Sequence, residues 1–205
     1  MAAREVVLER VRRALAAAPP PPTIPRDYVE AGGSQLDPVQ AFADRVRDYR
    51  GIVVRTDNAR DAIEAALTTQ RARRIAIPPD LPARLRPANA ALFKDGGLSP
   101  HELDRLDGAL TTCGVACALT GTIALDGGPG QGRRALTLVP NLHVCVVRED
   151  QVVETVPELI RLLEPAANDG RPIVLVSGPS ATSDIELQRV EGVHGPRRLV
   201  VILER

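Results

Sequence analysis

Leu199-Val-Val-Ile-Leu203 is an unbroken apolar run, and His143-Val-Cys-Val-Val147 and Pro172-Ile-Val-Leu-Val176 are nearly so. A strand with one wet face alternates apolar and polar side chains. A strand that is apolar throughout needs cover on both faces, as in the parallel sheets of α/β proteins. Working outward, further short strands read at Gly51-Ile-Val-Val-Arg55, Arg74-Ile-Ala-Ile77 and Gly121-Thr-Ile-Ala-Leu125. Helical spacing fills the gaps. Val39 to Tyr49 reads as a helix, and Asp57 or Asn58 can cap another running to about Leu67. Ser99-Pro-His-Glu102 and Thr155-Val-Pro-Glu158 are capping boxes with a proline in the first turn. Strand and helix alternate, which predicts an α/β fold with a mainly parallel sheet flanked by helices.

The chain's 205 residues correspond to one to one-and-a-half domains. Val6, Val7, Val11 and Leu15 line one face of an N-terminal amphipathic helix, free to dock on its own domain or on a partner. Five prolines between Ala18 and Pro25 then hold the chain extended. The expected division is residues 1–26, helix and Pro-rich linker, and residues 37–205, the α/β domain.

Composition excludes several functions. Lys plus Arg and Asp plus Glu are 26 each, so no basic footprint for nucleic acid exists. No apolar run is long enough to insert in a membrane, and charges break up the N-terminus where a secretory signal would be apolar. Lys94 is the one lysine and lies before Asp95-Gly-Gly97, outside any phosphate loop of the Walker type. Three cysteines, an odd number, point to a reducing cytoplasm rather than a disulfide framework. Cys113 and Cys117 lack the spacing of a zinc or iron–sulphur site, and Cys145 lies in an apolar strand as a small buried hydrophobe. No metal and no cofactor is expected on this chain.

Three segments can carry chemistry, because ligands of open α/β sheets sit at the strands' carboxyl ends. Thr120-Gly121-Thr122 offers two hydroxyls and a backbone that a ligand can approach. Asp126-Gly-Gly-Pro-Gly-Gln-Gly-Arg133-Arg134 is a glycine-rich loop ending in two guanidinium groups, which pair bidentately with carboxylate or phosphate. Ser177-Gly178-Pro-Ser180-Ala-Thr182-Ser-Asp184 follows a strand, and Ser183-Asp-Ile-Glu186 fits a capping box, so a helix N-terminus there would attract an anion. Arg189 lies near enough in sequence to bind the ligand or pair with Asp184. His194, flanked by glycines, is a candidate acid/base beside Asp184. Each segment also has a plain structural use, as a turn, a surface loop or a cap.

Thr120-Gly-Thr-Ile123, Gly130-Gln-Gly-Arg-Arg-Ala-Leu-Thr-Leu-Val-Pro-Asn-Leu-His143, Ser177-Gly-Pro-Ser-Ala-Thr-Ser-Asp-Ile-Glu-Leu187 and Glu191-Gly-Val-His-Gly-Pro196 together resemble the lactate-utilisation protein C family, which carries the LUD domain. The likeness runs from about Val39 to the C-terminus and is most specific in the second half. It implies a Rossmann-like architecture of the sugar-phosphate isomerase/CoA-transferase type. It also implies a part in oxidising L-lactate to pyruvate beside two iron–sulphur partner proteins. One position departs from the family: its glutamate before Thr-Gly-Thr is here Leu119. The leading expectation is therefore a cytoplasmic component of a lactate-oxidising system with its own small-anion site. The alternatives are a free-standing enzyme acting on a phosphosugar or acyl-CoA, and a regulatory module without chemistry.

Overall fold

The computed structural model describes residues 3–17, 19, 22–28, 37–183, 189–191 and 194–205, with backbone alone for 182, 183 and 189–191. In chain order the elements are α1 (Ala3–Leu15), α2 (Pro38–Asp48), β1 (Ile52–Thr56), α3 (Ala59–Thr69), β2 (Arg74–Ile77), β3 (Ala91–Lys94), α4 (Pro100–Asp104), β4 (Gly108–Thr112), β5 (Val115–Cys117), β6 (Thr122–Leu125), β7 (Leu142–Arg148), β8 (Val152–Val153), α5 (Val156–Asn168), β9 (Val174–Val176), β10 (Ala181–Ser183), β11 (Arg189–Glu191) and β12 (Arg198–Glu204).

Six strands form a sheet in the order β1-β12-β7-β4-β2-β3, and every pairing in it is parallel. The unbroken apolar runs lie in its middle, and the pleat divides them. Val144 and Val146 of β7, with Val200 and Ile202 of β12, face Ile63 and Leu67 of α3. Cys145, Val147, Val201 and Leu203 face the opposite way, onto Phe42 and Val46 of α2 and onto Ala116, Ile123 and Leu125 of a second sheet. That second sheet has the order β8-β5-β6-β9, with β6 antiparallel to both neighbours. Its outer side takes Leu159 and Leu163 of α5. Helix, parallel sheet, a shared layer of helix and short strands, and an outer helix therefore follow one another.

The capping boxes form as read: Ser99 and Thr155 each accept from the backbone N–H three residues on, and Glu102 and Glu158 reach back. Asn58, not Asp57, caps α3. α5 runs through Pro165 to Asn168. Three expectations need correction. The strands at Gly121–Leu125 and Pro172–Val176 are not in the parallel sheet; they are β6 and β9, paired with each other in the second sheet. β3, β4, β5, β8, β10 and β11 were not anticipated. Ser183 opens no helix: it ends β10, which pairs antiparallel with β11. α1 is present, with no buried residue, and Val7, Val11 and Leu15 stand exposed.

Two glycine turns grip the C-terminal end of α2. Gly121 has φ +62°, and a Cβ there would stand 2.7 Å from Arg45 Cβ and 3.0 Å from the Val46 nitrogen. Gly178 has φ +134°, and a Cβ would stand 2.8 Å from Tyr49 Cβ. Both the backbone conformation and the space exclude a side chain. Gly121→Ala is expected to lower stability by about 1–3 kcal/mol, the scale of backbone strain at a non-glycine residue. Urea denaturation of the variant against the parent measures it.

Candidate functional site

Because Gly121 and Gly178 both lie against α2, the turns that carry them are neighbours. Ile123 pairs with Val176 across the β6–β9 ladder, so the residues just before β6 and just after β9 meet. Thr122 Oγ1 lies 2.7 Å from Ser177 Oγ, and Thr120 Oγ1 lies 2.7 Å from Thr122 Oγ1. Three hydroxyls from two of the predicted segments thus form one hydrogen-bonded row. Beyond Ser177 the chain folds over itself: the Ser180 N–H donates to the Pro196 carbonyl, and the His194 N–H donates to Ser180 Oγ.

The result is an open cleft of about 440 Å³, walled by β9, the turn from Ser177 to Ala181, Tyr49, Arg134, Thr137 and the stretch His194-Gly-Pro196. Of the predicted residues it gathers Arg134, Ser177, Gly178, Ser180 and His194. Thr122 and Thr120 reach it through Ser177. Gly121 faces α2 instead. Among the described residues the Arg134 guanidinium has no hydrogen bond or salt bridge, and Arg134 lines the cleft. Asp184 lies outside the described residues, as do the side chains of Thr182 and Arg189.

The cleft's position corrects the expected one. Tyr49 precedes β1, and Pro196 precedes β12. The cleft therefore lies toward the amino ends of these parallel strands. The glycine-rich loop goes elsewhere: Asp126, Gly128 and Gln131 border a second crevice, of about 450 Å³, at the carboxyl ends of β4 and β7. There Gln131 accepts from the Asp126 N–H and donates to the Asp126 carboxylate. Chain leaving β2 packs into the α3 side of the sheet through Leu81 and Leu85, and chain leaving β4 enters the second sheet on the other side. Such a divergence leaves a crevice between neighbouring strand ends.

Arg133 is committed away from both, and the expectation that it holds an anion is corrected. Its Nε and Nη2 donate to the two Asp95 oxygens at 2.8 and 2.9 Å, and Nη2 also reaches the Leu98 carbonyl. The Asp95 side chain is 1% exposed. Burial raises its pKa, but the hydrogen bond and charge of Arg133 and the N–H groups of Gly97 and Leu98 outweigh that and hold the carboxyl below its usual range. A buried carboxylate, held as an anion, has taken the guanidinium that sequence reading gave to a ligand.

Buried polar chemistry also stands where sequence reading had placed a small hydrophobe. Thr111 Oγ1 lies 2.8 Å from His143 Nε2 and donates to Cys145 Sγ at 3.9 Å. The period-two register of β4 against β7 was the signal, because Thr111 and Cys145 are partners in the ladder. Among the described residues no three His, Cys, Asp or Glu side chains gather as a metal site. No helix among them is long and apolar enough to cross a membrane.

Fold and cleft together define an α/β protein with a solvent-open cleft built where a parallel sheet meets a smaller mixed one. Residues 100–203 match the LUD domain. The chain is 44% identical over 198 residues to "Lactate utilization protein C" of Deinococcus radiodurans, covering 96% of this chain and 93% of that protein. A protein of the same name from Bacillus pumilus is 40% identical over 90 residues, 42% of this chain and 37% of that one. The crystal structure of a DUF162 family protein from Deinococcus radiodurans superposes with a TM-score of 0.73 at 38% identity, covering 85% of this chain and all of that one. The chain belongs to the LUD domain family.

Arg133→Ala is expected to cost about 1.5–3 kcal/mol of stability, the scale of a lost hydrogen bond to a charged group. The pH sign follows from the lowered Asp95 carboxyl. Its contribution is full above the ordinary carboxylate range and is lost as pH falls through the depressed folded value. Thermal melts from pH 7 down to pH 3 should therefore show a smaller acid-induced loss in Arg133→Ala than in the parent.

Proposed function

We propose that this protein is a component of an L-lactate utilisation system, working beside iron–sulphur partner proteins as L-lactate is oxidised to pyruvate. Near full-length identity of 44% to a protein named for lactate utilisation carries this reading. Oxidation of L-lactate removes two electrons and two protons. In the proposed arrangement the electrons pass to clusters on the partners. The cytoplasm is the proposed compartment, in keeping with three free cysteines.

The cleft is the proposed small-anion site, for a carboxylate such as L-lactate or pyruvate, or for phosphate. Arg134 would supply the charge and Ser177 and Ser180 the hydroxyls. Gly178 keeps the turn close, and Thr120, Gly121 and Thr122 fix the position of Ser177. His194 is the proposed proton acceptor, with Asp184 as its acidic partner, and Thr182 and Arg189 complete the site from the β10–β11 hairpin. Support comes from the gathering of Arg134, Ser177, Ser180 and His194 around one cavity. Leu119 stands 61% exposed at the start of the hydroxyl row, so that position brings no carboxylate to it. The free-standing transferase reading therefore gains nothing here.

Three measurements test the two halves. A strain lacking this protein should fail to grow on L-lactate and recover when it is restored, and the tagged protein from lactate-grown cells should bring down iron-containing partners. Normal growth on L-lactate without it contradicts the role. Calorimetric titration with L-lactate, pyruvate and phosphate should show binding that Arg134→Ala weakens by about 1.5–3 kcal/mol. No binding of any of the three at millimolar concentration contradicts the anion site while leaving the role untouched.

A further inference from the structure

Cys113 and Cys145 come from neighbouring parallel strands. Thr111 lies opposite Cys145 in the ladder. Side chains two residues apart on a strand share a face, so Cys113 follows Thr111 onto the side that Cys145 occupies. Both cysteines are members of the same buried cluster. β4 ends at Thr112, so the ladder no longer fixes the Cys113 backbone. The Cys113 thiol is 3.6 Å from Gln151 Oε1, and the Cys145 thiol is 3.7 Å from the Thr112 carbonyl.

The surroundings of Cys145 favour a thiolate. Thr111 has one hydroxyl proton and points it at the sulfur, which leaves His143 Nε2–H to donate to Thr111. The Cys113 thiol beside it draws the Cys145 pKa down, and His143 and Thr111 add to this against the effect of burial. The same pairing, with burial, pushes Cys113 up. Of the two sulfurs, Cys145 is therefore the one that gives up its proton more readily. Access is unequal. Cys113 is in the wall of the carboxyl-end crevice, while Cys145 has no exposed surface. The third cysteine, Cys117, is buried in a different cluster with its thiol toward the Glu154 carbonyl.

We propose that Cys113 and Cys145 are a redox-active dithiol that closes to an intramolecular disulfide when a small hydroperoxide enters the crevice. As the Cys113 sulfur attacks one peroxide oxygen, its proton passes to the Cys145 thiolate. The O–O bond breaks, Cys113 becomes a sulfenic acid, and hydroxide leaves. That hydroxide takes the proton from Cys145 and departs as water. The Cys145 thiolate then attacks the Cys113 sulfur; the S–S bond forms, the S–O bond breaks, and the second hydroxide is protonated by solvent. Thiol, thiolate, hydrogen peroxide and one proton give a disulfide and two waters. The buried, low-pKa sulfur resolves, and the crevice-facing one meets the oxidant.

This inference is independent of the role in lactate utilisation. The whole reduced protein is treated with hydrogen peroxide, unfolded in excess N-ethylmaleimide and mapped by mass spectrometry. The expected product has lost two hydrogens, takes one maleimide instead of three, and yields a peptide pair joining Cys113 to Cys145. Cys117→Ser should form the same bond, and Cys113→Ser should form none. Three maleimides after peroxide, a bond through Cys117, or Cys113 oxidised to sulfinic acid without a bond each overturn the proposal.

Discussion

The burial of β7 and β12 on both faces governs the rest of this molecule. Leu142 to Val147 and Leu199 to Glu204 are all buried. Successive side chains on a strand point to opposite sides, so each run demands two apolar covers. α3 provides one. The other face is too wide for α2 alone, and β5, β6 and β9 complete it. The small sheet is thus a structural cover first. Its strand ends, brought against α2, then become the wall of a cleft.

α2 organises that wall through its last turn. Gly121 and Gly178 approach Arg45, Val46 and Tyr49 more closely than any side chain would permit. This contact sets the spacing of Thr122 and Ser177, whose hydroxyls bond directly. Charge is distributed with the same economy. Arg133 and Arg134 are adjacent in sequence, yet one neutralises a buried carboxylate and the other faces the cleft. The first serves stability at the carboxyl end of β3, where Asp95 follows Lys94. The second leaves a cation at a cavity whose walls carry hydroxyls and an imidazole beside Val174, Leu175 and Val176.

Much of the fold was legible because it is written locally. The apolar runs marked the central strands, and the two capping boxes marked α4 and α5 at the right residues. β3, β4 and β5 were not legible: Ala91-Leu-Phe-Lys94, Gly108-Ala-Leu-Thr-Thr112 and Val115-Ala-Cys117 are short, and only their neighbours make them strands. Ser183-Asp-Ile-Glu186 misled for the complementary reason. A capping box is a local pattern, and here the non-local pairing of residues 181–183 with 189–191 won. The cleft was read in part. Arg134, Ser177, Ser180 and His194 were named from composition, and they share one wall. Which end of the sheet they occupy could not be read, because it depends on β9 running antiparallel to β6 in another sheet. Nor could the fate of Arg133, whose partner Asp95 is 38 residues away.

Ligand is proposed to bind along β9, toward the amino ends of β1 and β12, rather than in the glycine-bordered crevice at the carboxyl ends. Amide chemical-shift mapping of isotope-labelled protein, titrated with L-lactate and then pyruvate, tests it most directly. Perturbations are expected at Ser177, Gly178, Ser180, His194 and Gly195, with Gly114, Gly128 and Gln151 unmoved. Perturbations confined to Gly114, Gly128 and Gln151 would contradict it.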